Sequence, residues 1–422
     1  MFATIKQIFN PKNKDIQKRI LFTLACLFVF VLGKAIIVPG IDEYSLGVTQ
    51  LGFLELINVM GGGALEQFSI FALGVMPYIT ASIIIQILAM DIVPYLSELK
   101  KQGGVGRTQL NKITRISGIA LAFVQGYIYS FAFLGDAGTG ILNVDYLQFA
   151  LVLTAGTSLL LWIGDQITAK GIGNGISLII MAGIISSMPT MFATAFTELT
   201  SDSSITGILL FILYVIVYVA IILGVVYVEG AERRINVQYA NKSNSAFGGR
   251  QNYIPFKLNS AGVMPVIFAS ALISIPSFIA TFVKNDGFTN FVNQYLSMTS
   301  PVGFSLYIIL IFVFAYFYTF MQIKPSEMSD NLNKNGGYIP GVRPGKETTD
   351  YISNTISRIT VVGALFLAIL AGIPVIFGLF SGLSSNVTIG GTGLLIVVGV
   401  ALETYKQLES QLQSRSYRKG RR

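Results

Sequence analysis

The chain has 422 residues, of which 53% are hydrophobic and 12% are charged, and its mean hydropathy is +0.66. A composition this apolar excludes a water-soluble globular domain and predicts a protein embedded in a membrane. The formal net charge of +8 could indicate nucleic-acid binding, but the cytoplasmic loops of membrane proteins are also rich in Lys and Arg.

Ten apolar segments follow one another along the chain, most of them near or above the roughly 20 residues that cross a bilayer as a helix. They cover residues 20–38, 68–90, 113–135, 146–164, 176–196, 208–228, 261–283, 303–322, 359–380 and 390–402. With both termini in the cytoplasm, all but two of the 29 Lys and Arg residues fall on the cytoplasmic face. The exceptions are Lys34, expected to snorkel to the outer end of its span, and Lys284 in an outer loop. The sequence therefore predicts an all-α polytopic membrane protein with ten transmembrane helices.

Several kinds of chemistry are missing from the sequence. Histidine is absent, which removes the commonest general base and transition-metal ligand, and no G-x-x-x-x-G-K-[ST] phosphate loop occurs. We therefore expect no enzyme and no cofactor. Acidic residues lie only in loops or at segment ends, as Asp165, Glu229 and Glu403 do, which disfavours an ion-coupled carrier. An inverted-repeat secondary transporter of a small solute nevertheless stays the alternative to a channel.

The stretch GGGALEQFSIFALGVMPYITASIIIQIL, residues 61–88, is an interrupted membrane segment. Residues 61–73 would form only about 20 Å of helix, which is too short for a hydrocarbon core near 30 Å. Such a segment is expected to be re-entrant and packed inside protein. Pro77 suits the first turn of a new helix, where its missing N–H costs nothing.

Aliphatic residues stand four apart at two helix starts, which places each pair on one helix face. Val75 and Ile79 form one such pair, and Ile176 and Ile180 form the other. Periodicity alone favours ordinary helix packing for these pairs. The GIGNG run at 171–175 indicates a tight turn at a span entrance, because its glycines permit unusual backbone angles.

Six sequence blocks together resemble the SecY family of protein-conducting channel subunits. They are the 61–88 stretch, QITAKGIGNGIS, RRINVQYA, PFKLNSAGVMPVIFASA, NLNKNGGYIPGVRPGKET and GGTGLLIVVGV. The resemblance implies two inverted, pseudosymmetric five-helix halves, at 20–196 and 208–402, hinged at an external loop, 197–207. It also implies a cytoplasmic arm (1–19), cytoplasmic loops at about 229–258 and 323–358, and a basic cytoplasmic tail (403–422).

The function implied by the resemblance is a channel in the bacterial cytoplasmic membrane. It would move unfolded secretory polypeptides across that membrane and release transmembrane segments sideways into the lipid through a lateral gate. The implied partners are the SecE and SecG subunits, the ATPase SecA, the ribosome, signal peptides, nascent chains and membrane lipids.

The resemblance also assigns site residues. The pore ring is implied at Val75, Ile79, Ile176, Ile180, Ile267 and Ile396. The plug, a re-entrant half-helix at about 61–73, includes Gly61, Gly62, Gly63, Ala64, Leu65 and Phe68. The lateral gate includes Ser82, Gln86 and Asn259. The residues that dock SecA or the ribosome are Arg343, Arg233, Arg234, Lys242 and Arg250.

Overall fold

The structure is a computed structural model that describes residues 13–39, 58, 61–89, 92–134, 144–200, 205–239, 252–283, 286–296, 300–381 and 385–419. We number the helices and strands of these residues in chain order. The helices of the N-terminal part are α1 Lys14–Lys34, α2 Met76–Leu88, α3 Pro94–Lys101, α4 Gly104–Leu134, α5 Val144–Lys170, α6 Gly175–Thr200 and α7 Ile205–Gly230. The remaining helices are α8 Met264–Val283, α9 Asp286–Phe291, α10 Pro301–Gln322, α11 Pro325–Lys334, α12 Lys346–Ser381 and α13 Ser385–Lys419. The strands are β1 Glu232–Tyr239, β2 Asn252–Lys257 and β3 Gly337–Tyr338.

Each of the ten predicted apolar segments overlaps a helix. Within the described residues, six helical stretches are long and apolar enough to cross a membrane, and α2 is a shorter apolar helix of 13 residues. The six stretches are Lys14–Lys34, Val144–Lys170, Gly175–Thr200, Ile205–Gly230, Pro301–Lys334 and Lys346–Phe377. Pro77 lies in the first turn of α2, where its missing N–H was expected to be tolerated.

The membrane helices pack mostly against helices that are near them in sequence. In the first part of the chain α2 contacts α4, α4 contacts α5, and α5 contacts α6. In the second part α8 contacts α10, α10 contacts α12, and α12 contacts α13. Helix α6 also contacts α7 and α13, so it joins the two parts.

The two long polar loops form a small three-stranded sheet instead of unstructured connections. Strand β1 lies in the middle, antiparallel to β2 on one side and to β3 on the other. Alternate side chains of β1, Ile235 and Val237, are buried against Leu332 of α11 and Ile352 of α12. One hydrophobic core therefore holds both loops together as a unit.

The prediction of a half-helix over 61–73 is wrong. Helical backbone ends at Gly61, and the residues after it form a series of turns up to α2. Gly62 and Gly63 adopt positive φ angles of 74° and 86°, and Phe68 adopts 47°. Such angles cannot continue a right-handed helix. We keep the name plug for residues 61–73.

Candidate functional site

The structure brings all six predicted ring residues into one hydrophobic cluster. Val75, Ile79, Ile180, Ile267 and Ile396 are between 5% and 7% exposed, and Ile176 is half-buried against them. They come from the start of α2, the first turns of α6 and α8, and α13. Four segments from distant parts of the sequence therefore meet at one apolar place.

The six ring residues have aliphatic side chains, which offer neither hydrogen-bond donors nor acceptors. Such side chains cannot replace the hydration shell of an ion, and a narrow constriction made of them gates by dewetting. They also impose no specific pairing on a peptide that passes. The arrangement is therefore suited to excluding ions and tolerating many polypeptide sequences.

The plug lies against the same cluster. Leu65 and Phe68 are each 1% exposed and belong to the ring's hydrophobic core. The Phe68 ring also packs edge to face on Phe149 of α5, with centroids 6.5 Å apart. Of the other predicted plug residues, Gly61, Gly62 and Ala64 are buried and Gly63 is half-buried. Glu66 and Gln67 are exposed, so the structure buries most of the plug but not these two residues.

Short backbone contacts hold the first turn of the plug. The Gly63 N–H donates to the Asn58 carbonyl at 2.8 Å, and the Glu66 N–H donates to Asn58 Oδ1 at 3.0 Å. A Cβ at Gly62 would lie 2.8 Å from the carbonyl oxygen of Gly183 in α6. The positive φ of Gly62 and this close approach both require glycine.

The end of α1 forms a backbone bridge to the plug that the sequence did not predict. Val38 N–H donates to the Phe68 carbonyl at 3.1 Å, and Ile70 N–H donates to the Ile36 carbonyl at 3.0 Å. Ile37 and Ser69 lie opposite each other between these bonds, as a short antiparallel pair. A single bridge between segments far apart in sequence has no periodic pattern that could reveal it.

Lys34 was expected to extend to the membrane surface, but the structure places it against the plug. Its Nζ donates to the Gly62 carbonyl at 2.6 Å and to Ser186 Oγ of α6 at 2.5 Å. Lys34 is therefore a residue of the site that the sequence interpretation assigned elsewhere. One feature of the sequence could have indicated this role: Lys34 is one of only two basic residues that lie outside the predicted cytoplasmic segments.

The hydrogen bonds described for the three predicted gate residues do not join Ser82 and Gln86 to Asn259. Gln86 donates to Ser82 one turn away on α2, at 2.9 Å. Asn259, which is 5% exposed, donates instead to Glu229 Oε1 at the end of α7 and to the Gly262 carbonyl, at 2.9 and 3.0 Å. None of the hydrogen bonds described for these three residues joins α2 to the loop before α8. Their role in a gate stays a prediction.

The predicted docking residues that the structure describes lie on the surface of the three-stranded sheet and its connections. Arg233 and Arg234 project from β1, and Arg343, 87% exposed, follows β3. Arg234 bonds to Glu232 and stacks over the Tyr253 ring at 4.7 Å, and the bond to the Glu232 carboxylate raises the pKa of the Arg234 guanidinium. Lys242 and Arg250 lie outside the described residues.

The fold and the site together define a class of protein. It is a helical membrane protein with a buried apolar cluster and a plug that packs into that cluster. A family model described as SecY matches residues 69–405. The chain is 47% identical over 429 residues to the protein translocase subunit SecY of Bacillus subtilis and 44% identical to that of Staphylococcus aureus, with 99% of each chain covered. The chain belongs to the SecY family, which confirms the resemblance seen in the sequence.

Two solved structures share the fold. One is described as "The structure of a protein conducting channel"; it has a TM-score of 0.63 at 20% identity, with 94% of this chain and 92% of that chain covered. The other is Sec61 in the canine ribosome–channel complex from the endoplasmic reticulum, with a TM-score of 0.60, 20% identity and the same coverage. The family and the several long apolar helices establish a multi-pass membrane protein and a channel subunit, not an enzyme. The comparisons do not support the secondary-transporter alternative.

Proposed function

We propose that this chain is the pore of a protein-conducting channel, with the six aliphatic residues as its constriction and the plug as its seal. The observation that supports this most is the packing of Leu65 and Phe68 into the same apolar cluster as the ring. An ion would meet a dry barrier there, whereas an unfolded polypeptide displaces the plug and is surrounded by adaptable side chains.

We propose ten transmembrane helices in two inverted halves, and the helix contacts support this arrangement. In order, the spans are α1, α2, α4, α5 and α6, and then α7, α8, α10, α12 and α13. The contacts α2–α4, α4–α5 and α5–α6 recur in the second half as α8–α10, α10–α12 and α12–α13. Helix α1 contacts α5 and α6, and α7 contacts the corresponding α12 and α13. The same order of neighbours is what an internal repeat of five helices produces.

The placement in the membrane follows from charge. Both termini and the sheet formed by the two long loops would lie in the bacterial cytoplasm, because this orientation puts nearly all Lys and Arg residues on that side. The external hinge would then connect α6 to α7. The chain lacks a phosphate loop, so the energy for transport would come from partners.

We propose SecA and the translating ribosome as those partners, with SecE and SecG as accompanying subunits. The exposed arginines of the sheet and its connections support an acidic or phosphate-rich partner surface, which a ribosome presents as RNA. The ribosome-bound Sec61 neighbour has the same fold. Binding of this kind is expected to weaken as salt rises, since phosphate contacts release counterions.

Lateral release would occur between α2 and α8. A signal peptide has an apolar core of about 7 to 15 residues and could exchange its own contacts for those between the two helices. Ile83 of α2 and Met264 of α8 both pack against the ring cluster, which supports an apolar seam between these helices. A transmembrane segment would then enter lipid because its apolar surface is removed from water.

Linking α2 to α8 is expected to block export. Ile83 and Met264 both pack against the ring cluster, and each would lie about one turn on the cytoplasmic side of a ring residue, Ile79 or Ile267. The experiment uses Ile83→Cys with Met264→Cys in a Cys26→Ser background, treated with a bismaleimide, and measures export of a secretory precursor. Each single-cysteine variant given the same reagent is the control. Undiminished export by fully cross-linked channels would contradict lateral opening at this seam.

Deletion of residues 61–68 tests the sealing role of the plug. In planar bilayers the deletion is expected to raise the resting ion conductance, because it removes Leu65 and Phe68, which are buried in the same cluster as the ring. A carrier would instead show saturable flux of one solute. Resting conductance equal to that of the unaltered channel would count against the plug as the seal.

A further inference from the structure

The structure places Lys34 where three elements meet: the end of α1, the first turn of the plug and the middle of α6. We propose that Lys34 is a latch that holds the plug in its closed position, an inference that rests on the proposed channel function. Its ammonium group would set how often the plug leaves the pore at rest. Lys34 would thus be a positioning residue and not part of the constriction.

The geometry of the Lys34 ammonium supports this role. Its two described bonds, at 2.6 Å to the Gly62 carbonyl and 2.5 Å to Ser186 Oγ, connect α1 to the plug and to α6. The Gly62 carbonyl is a backbone group, so the bond forms only when this turn of the plug is in place. The close approach of Gly62 to the Gly183 backbone fixes the position of this turn against α6. A lysine has three donors and can hold both partners together.

The surrounding contacts make the end of α1 a cradle for the plug. The Phe30 and Phe71 rings stack with centroids 6.1 Å apart, and a side chain at Gly33 would overlap the Phe71 ring. The backbone bridge between Ile37 and Ser69 continues the contact. The ring stack, the Gly33 contact and the bridge all involve either the backbone or a side chain of the plug, so they are difficult to remove without altering the plug. The Lys34 bond can be removed without changing any residue of the plug or ring.

The partners of Lys34 suit a contact that has to open and close. Both are uncharged, so opening the contact does not leave an uncompensated buried carboxylate, as breaking a buried ion pair would. Water can replace the Gly62 carbonyl as a partner of the ammonium once the plug has moved, while Ser186 stays in place on α6. Loss of a bond to a charged group shifts an equilibrium by about tenfold or more. The latch would therefore bias the plug toward closure without locking it.

A labelling experiment measures the plug position directly. Ser69 is 0% exposed, so a membrane-impermeant maleimide added on the outer side can modify Ser69→Cys only when the plug has moved. When opening and closing are fast, the labelling rate is proportional to the open fraction. The intact complex carries Cys26→Ser, to remove the only native cysteine, and is compared with and without Lys34→Met.

We expect Lys34→Met to raise both the labelling rate and the resting ion conductance by about tenfold. Methionine is close to lysine in length and removes a charge from a membrane helix, so insertion is not impaired. Lys34→Arg, which keeps the donors, is expected to stay near the unaltered rate. Ser186→Ala, which keeps the Gly62 bond, is expected to fall between the two.

The outcomes separate the latch from the proposed function. Unchanged labelling and conductance in Lys34→Met, with raised conductance after deletion of 61–68, would overturn the latch and leave the channel intact. Faster labelling in Lys34→Met with no leak from the deletion would support the latch and overturn the sealing role of the plug. Equal acceleration by Lys34→Arg and Lys34→Met would also overturn the latch, since donors would then not matter.

Discussion

An Ile267→Asn channel is expected to leak ions at rest roughly tenfold faster than the unaltered channel, because an amide in the constriction holds water where an aliphatic side chain excludes it. Ile267 is 5% exposed and belongs to the same buried cluster as the other ring residues. The measurement is single-channel conductance in a planar bilayer, with the same voltage and salt for both proteins. Ile267→Leu keeps the site apolar and is expected to retain the seal.

The matched control lies on the same helix. Ile279 of α8 is 44% exposed, so Ile279→Asn adds the same polar group at a position outside the cluster. Its resting conductance is expected to equal that of the unaltered channel. If both asparagine variants leak equally, the effect comes from a weakened helix and not from the constriction. If neither leaks, the six aliphatics do not form the ion barrier.

The ring was only partly predictable from the spacing of residues in the sequence. The spacing of Val75 and Ile79, or of Ile176 and Ile180, indicates a shared helix face and nothing about what that face touches. Only the family motifs connected these pairs with Ile267 and Ile396, which are far away along the chain. The structure brings all six together, because the contacts between helices, not local periodicity, decide where the faces meet.

The plug is the opposite case, because the residues that end its helix are visible in the sequence. Three successive glycines permit the positive φ angles that end the helix at Gly61. The positive φ of Phe68 could not be predicted, because that angle is unfavourable for a bulky residue and depends on the bridge to α1. The contacts of Lys34 could not be predicted either, since they join segments far apart in sequence.

Part of the sheet formed by the cytoplasmic loops could also have been predicted from the sequence. In RRINVQY the apolar residues alternate with polar ones, and the structure buries Ile235 and Val237 on one face of β1. The sequence prediction assigned both loops to the cytoplasmic side and to docking, and it included no strand in either. The pairing of β1 with β3 was not predictable, because the partners are about a hundred residues apart.

Replacing Arg343 with glutamate is expected to abolish SecA-driven export, by a factor on the order of a hundred or more, while the channel remains folded and inserted. The loop around Arg343 is held by its backbone: Thr348 Oγ1 donates to the Arg343 carbonyl at 2.8 Å, and Ser329 Oγ donates to the Gly345 carbonyl at 3.0 Å. Neither bond uses the guanidinium. The variant therefore changes the surface presented to a partner and leaves the support of the loop in place.

The side chain itself contributes little to folding. Arg343 is 87% exposed, and its ion pair with Glu347 spans 3.9 Å between two exposed groups, which is worth little in water. Glu347→Gln breaks this pair but keeps the arginine, and it is expected to export normally. Export is measured as ATP-dependent uptake of a precursor into reconstituted vesicles, with thermal unfolding of the complex as the check on stability. Normal uptake by Arg343→Glu, or equal loss in Glu347→Gln, would contradict a docking role for the guanidinium.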